Sequence, residues 1–125
     1  MIKESIENFG DFEFYEDYFI GRIHQGVDAG SHFIDALSEL IQKHFARRPV
    51  IYISDRVNSY SLDPRATSEL IERNDIRFTA VVTYNSRQNY IYSFEEHIIK
   101  GTTMCIFDSL ESAVEWARQK AEELK

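Results

Sequence analysis

Cysteine is almost absent: Cys105 is the single one among 125 residues. One thiol allows no intrachain disulfide, and its place in the run Met104-Cys105-Ile106-Phe107 suits a small buried hydrophobe better than a reactive group. Long apolar runs are missing as well. No stretch approaches the roughly 18 residues needed to span a bilayer, and Met1-Ile2-Lys3-Glu4 lacks the basic segment and apolar core of a signal peptide. These absences predict a soluble, cytoplasmic chain with no transmembrane segment. Proline occurs only at Pro49 and Pro64 and glycine five times, so there is neither a proline-rich linker nor a glycine-rich phosphate loop. Basic charge is scarce: 14 Lys and Arg stand against 21 Asp and Glu, for a net charge of −7. No basic run exceeds Arg47-Arg48. A field of that sign repels phosphate backbones, which excludes nucleic acid as the expected partner.

What is present is apolar and aromatic. Hydrophobic residues make up 43% of the chain, with nine Phe, seven Tyr and one Trp, enough to build one core over residues 1–125. The first thirty residues read as strands: Ile2 to Asn8 as a weak edge strand, Phe12 and Phe14 alternating with acids, a turn at Glu16-Asp17, then Tyr18 to Ile23. Gly26 to Gly30 reads as a connector. From Ser31 the period becomes helical, with Phe33, Ile34, Leu37, Leu40, Ile41 and Phe45 on one stripe, Ser31 or Asp28 as cap and Pro49 as the stop. Val50-Ile51-Tyr52-Ile53 is apolar throughout, as a central strand covered on both faces would be.

Ser54 to Asp63 is irregular. Pro64 then opens a second helix, capped by Asp63 and ending near Asn74. Arg77 to Thr83 is a further strand. Asn85 with Gln88 resembles a reciprocal cap for a third helix through Ile91, Phe94 and Ile98, closed by Lys100-Gly101. After the strand Met104 to Phe107, Asp108 with Glu111 offers a cap for the clearest amphipathic helix, with Leu110, Ala113, Val114, Ala117, Ala121 and Leu124 inward and Trp116 leaning on the sheet. The expected fold is α/β: a mixed sheet with an N-terminal antiparallel hairpin, parallel crossovers and about four helices.

The element order, Val50-Ile51-Tyr52-Ile53-Ser54 before a loop and the Pro64 helix, and the closing Phe107-Asp108-Ser109-Leu110-Glu111-Ser112-Ala113-Val114-Glu115-Trp116-Ala117 resemble the SpoIIAA-like superfamily of STAS and SEC14-like domains. That resemblance implies a non-enzymatic regulatory or protein-interaction module, working with a protein partner or a second copy of itself. Its SEC14-like branch implies a second possibility, binding of a small apolar or lipid-like ligand. In signalling members a Ser in an Asp-Ser pair at the start of a helix is phosphorylated to control binding of a partner kinase. Here Ser59 and Ser61 precede Asp63, so no residue inherits that role.

Motifs for catalysis are missing. His24, His32, His44 and His97 have neither paired helical spacing nor a cysteine at a zinc interval, so neither a metal nor a cofactor is expected. A small hydrolase or transferase would require Asp55, Ser59 and a histidine to converge. The favoured place for function is the loop leaving the central strand, where open parallel sheets take ligands. Asp55, Arg56, Asn58, Ser59 and Tyr60 lie there, with Tyr84 and Arg87 on a companion loop across a cleft. For an apolar ligand, Tyr52, Phe78, Tyr84 and Tyr90 are the rings expected to enclose it.

Overall fold

The computed structural model describes residues 1–85 and 99–125. Strands β1 (Ile2–Ile6), β2 (Gly10–Phe14) and β3 (Tyr18–Ile23) form an antiparallel meander. The turn at Glu16-Asp17 is closed by the Tyr15 amide donating to the Tyr18 carbonyl at 2.9 Å. Strands β5 (Val50–Asp55), β7 (Ile76–Val82) and β8 (Thr103–Phe107) then add in parallel beside β3, giving the sheet order β1-β2-β3-β5-β7-β8. Two short strands, β4 (Asp28–Ala29) and β6 (Ser61–Leu62), pair only with each other, outside this sheet. The connector and the irregular loop of the sequence reading thus meet as a small ribbon.

Helices cover both faces, as the unbroken apolar character of β5 requires. On one face α1 (Ile34–Phe45) and α2 (Pro64–Asn74) bury Leu37, Ile41, Phe45, Leu70 and Ile71 against Phe12, Phe14, Phe19, Ile23 and Val50. On the other, α3 (Leu110–Glu123) lays Ala113, Ala117 and Ala121 on Ile20, Ile51, Ile53, Ala80 and Val82. Small residues let the helix approach closely. Trp116 leans onto the sheet edge-on to Phe78, with ring centroids 5.8 Å apart. Gly21 on β3 is required by close approach: a Cβ there would lie 2.9 Å from the Phe12 ring and 3.0 Å from Tyr52.

The helix ends repay comparison with the sequence. Asp63 does cap α2, its carboxylate accepting from the Arg65 amide at 3.0 Å with Pro64 in the first turn. Neither Ser31 nor Asp28 caps α1. Residues Ser31–Phe33 form a 3₁₀ turn whose backbone bond from the Ile34 amide to the Ser31 carbonyl occupies the place of a side-chain cap. The stop of α1 also comes before Pro49, because Ala46 and Arg47 turn left-handed and the Ala46 amide closes on Gln42. For α3 the cap is Ser109, not Asp108. Ser109 has the extended backbone just before the first helical residue, and its Oγ accepts from the Ser112 amide at 3.2 Å. Three α-helices therefore stand among the described residues; the expected helix through Ile91, Phe94 and Ile98 lies outside them.

Candidate functional site

Strand β5 runs two residues further than its apolar stretch, through Ser54 and Asp55. Because side chains alternate across a strand, Tyr52 and Ser54 face α1 and α2, whereas Ile51, Ile53 and Asp55 face the side of α3. The residues expected to form one cleft are consequently divided between two faces of the sheet.

On the α3 side, Asp55 is 3% exposed. One carboxylate oxygen accepts from Arg22 Nε at 2.8 Å and the other from the Tyr84 hydroxyl at 2.5 Å. Arg22 also pairs with Glu13, whose second contact is the Tyr15 hydroxyl at 3.0 Å. Burial disfavours the Arg22 charge, but hydrogen bonds to Glu13 and Asp55 outweigh it and hold its pKa up. Burial would likewise raise Glu13, and the bonds from Arg22 and Tyr15 reverse that and lower it. The Tyr84 phenol is pushed up to about 12, first by burial and then by the Asp55 carboxylate it donates to. This network ties β2, β3 and β5 to the segment leaving β7. It is a clamp, since both Asp55 oxygens are engaged.

On the opposite side lies a cavity of about 60 Å³. Its floor is the sheet, through Ile23, Tyr52 and Thr79, with Phe9 of the β1–β2 turn beside them; its walls are Phe33, Ile34 and Leu37 toward α1 and Ala66, Leu70 and Ile71 of α2. Phe9 stacks on Phe33 with centroids 4.2 Å apart, fixing one wall. Ala29, Gly30 and Leu62, from the β4–β6 ribbon and the residue following β4, close one side. One end is polar. Arg56, only 6% exposed, donates from Nε to Ser54 Oγ at 3.1 Å and lies 5.4 Å over the Tyr60 ring, while Tyr60 Oη is 3.4 Å from Ser54 Oγ. Burial raises the Tyr52 phenol, opposed by its bond with Ser54. The arrangement can receive a molecule with an apolar body and one hydrogen-bonding end.

Asn58 and Ser59 have a third role. The Asn58 amide donates to the Ile23 carbonyl at 2.9 Å, and the Ser59 backbone N–H to the Gln25 side-chain oxygen at 2.9 Å, so both hold the loop to the end of β3. Arg87 and Tyr90 lie outside the described residues. Of the rings expected around an apolar ligand, Tyr52 lines the cavity, Phe78 belongs to the other face beneath Trp116, and Tyr84 is 52% exposed beside Asp55. Phe9, Phe33 and Tyr60 take their place.

Among the described residues Asp55 and Ser59 meet Arg22, Tyr84, Gln25 and Gly26, His24 meets Asp11 at 3.1 Å and His44 meets Glu4 at 2.7 Å, while His97 lies outside the described residues. Among the described residues no group of three His, Cys, Asp or Glu is arranged to hold a metal ion, and no helix is long and apolar enough to cross a membrane. Comparisons with protein-family models, with curated proteins and with solved structures find no match to this chain.

Proposed function

We propose that this chain is a non-enzymatic, SpoIIAA-like domain that binds a compact, largely apolar small molecule in the cavity between the sheet, α1 and α2. The observation that carries the reading is an aromatic-lined cavity ending in buried Ser54 and Arg56 with half-buried Tyr60. Size narrows the ligand. A dry cavity that takes benzene measures about 150 Å³, so one of about 60 Å³ has to more than double to take a single ring or a short branched chain. A long acyl chain does not suit it. The polar end favours a hydrogen-bonding group on one side of that ring.

The protein-interaction reading has less support. Among the described residues the large exposed apolar side chains are Met1, Ile2, Val57 and Tyr84. The first two begin β1, at the end of the sheet opposite the segments that follow β5 and β7, so the four do not form one apolar patch.

Thermal unfolding with a panel of phenol, benzoate, cyclohexanol and laurate tests the proposal, because a ligand that binds only the folded state raises its melting temperature. The ring compounds are expected to raise it and laurate is not. Ala66→Leu, which fills the cavity from α2, is expected to abolish the ring effect while the variant stays folded. No shift with any compound, or an undiminished shift in Ala66→Leu, would overturn the reading.

A further inference from the structure

We propose that the cavity fills and empties through the seam between β4 and β6, which parts to open a slot between the start of α1 and the start of α2; this rests on the ligand-binding reading above. The chain's layout puts the seam in that position. Strand β4 leads through Gly30 and the 3₁₀ turn into α1, and β6 leads through Asp63 into α2. Ala29, Gly30 and Leu62 thereby close the cavity on the side where the two helices begin.

The seam is a thinly paired wall. Its strands pair over two residues only, Asp28 with Ser61 and Ala29 with Leu62, and neither joins the six-stranded sheet. Besides the bonding of that two-residue ladder, backbone hydrogen bonds cross it from the Gly26 amide to the Ser59 carbonyl at 2.7 Å, from the Ser61 amide to the Val27 carbonyl at 2.9 Å, and from the Asp63 amide to the Ala29 carbonyl at 3.3 Å. A ribbon this short has little stability of its own. Parting it exposes Ala29 and the half-buried Val27 and Leu62, whereas moving α1 or α2 would withdraw the larger set of Leu37, Ile41, Phe45, Leu70 and Ile71 from the same core. Segments with few buried apolar contacts open first.

Glycines flank β4 on both sides. Gly26 has φ of 77°, a conformation glycine adopts without steric cost, and a Cβ there would meet nothing within 4 Å. Beyond β3, the Asn58 bond to the Ile23 carbonyl fixes the root of the opposing segment. A cavity of about 60 Å³ beside such a seam is too small for a ring, and parting the seam supplies the extra width.

The test is a reversible staple. Asp28 and Ser61 are register partners and both exposed, so D28C/S61C in a C105A background places two thiols where a disulfide can form without disturbing the core. Phenol association, followed by exchange-resolved methyl NMR, is expected to slow at least tenfold in the oxidised protein and to recover on reduction. Equal rates in both forms would overturn the seam while leaving the cavity reading intact. Failure of phenol to bind the reduced form would overturn the ligand-binding reading and the seam with it.

Discussion

Replacing Asp55 by Asn keeps the shape of the side chain and removes the charge at the centre of the α3-side clamp. Asn can still accept from Tyr84, but its amide presents donors to Arg22 Nε, which is itself a donor. Hydrogen bonds to charged groups contribute about 1.5–3 kcal/mol each, and breaking a buried ion pair costs about 3–5 kcal/mol. The Arg22 side chain is 28% exposed and keeps its bond to Glu13, so solvent and the second carboxylate moderate the loss. The result is an expected destabilisation of about 2–3 kcal/mol. Urea unfolding is the assay: with a slope near 1.5 kcal/mol per molar, the midpoint should fall by roughly 1.3–2 M. A double-mutant cycle with Arg22→Leu should give a coupling of about 1 kcal/mol or more. A midpoint drop below about 0.3 M, or additive single effects, would refute the claim that Asp55 acts through Arg22.

Two further predictions follow from local geometry. The Tyr84 phenol titrates near 12 in the folded state against about 10 when unfolded; a raised pKa means that its stabilisation is complete below pH 10 and is lost as pH rises from 10 to 12. Urea midpoints measured across that range should decline in the parent and decline less in Tyr84→Phe, and equal slopes would count against the bond to Asp55. At α3, Ser109→Ala should cost about 1 kcal/mol by removing the cap, whereas Asp108→Ala should cost far less. Chemical denaturation of the two variants decides between the residues, and the reverse order would restore Asp108 as the cap.

Much of the fold was legible because its signals are local. Asp63-Pro64 marks the start of α2 within two residues, and the apolar run at Val50 to Ile53 announces a strand covered on both faces. The misreadings arise where neighbouring residues offer the same chemistry. Asp108 and Ser109 can both cap, and the choice falls to whichever has the extended backbone. Ser31 can cap as well, but the 3₁₀ turn meets the need through the backbone. Ser54 and Asp55 read as loop because both are poor strand formers, yet the register of β5 with β3 and β7 carries the strand through them. Extending the strand by two residues separates Ser54 and Asp55 onto opposite faces by alternation alone.

The cavity was illegible for a different reason. Phe9, Ile23, Phe33, Tyr52 and Leu70 each read as ordinary core, and only tertiary packing shows that the core they make is incompletely filled beside a buried arginine. The polar end had a weak signal: Arg56 and Tyr60 were among the expected binding residues, without any indication that they would turn toward α1 and α2.

Methyl-resolved NMR during titration with phenol addresses the central claim most directly. Methyl signals of Ile23, Leu37, Leu70 and Ile71, which line the cavity, should shift and saturate together, while those of Ile20, Ile53 and Val82 on the α3 face stay in place. Unmoved signals in the first group, or equal shifts in both, would contradict a ligand site between α1, α2 and the sheet.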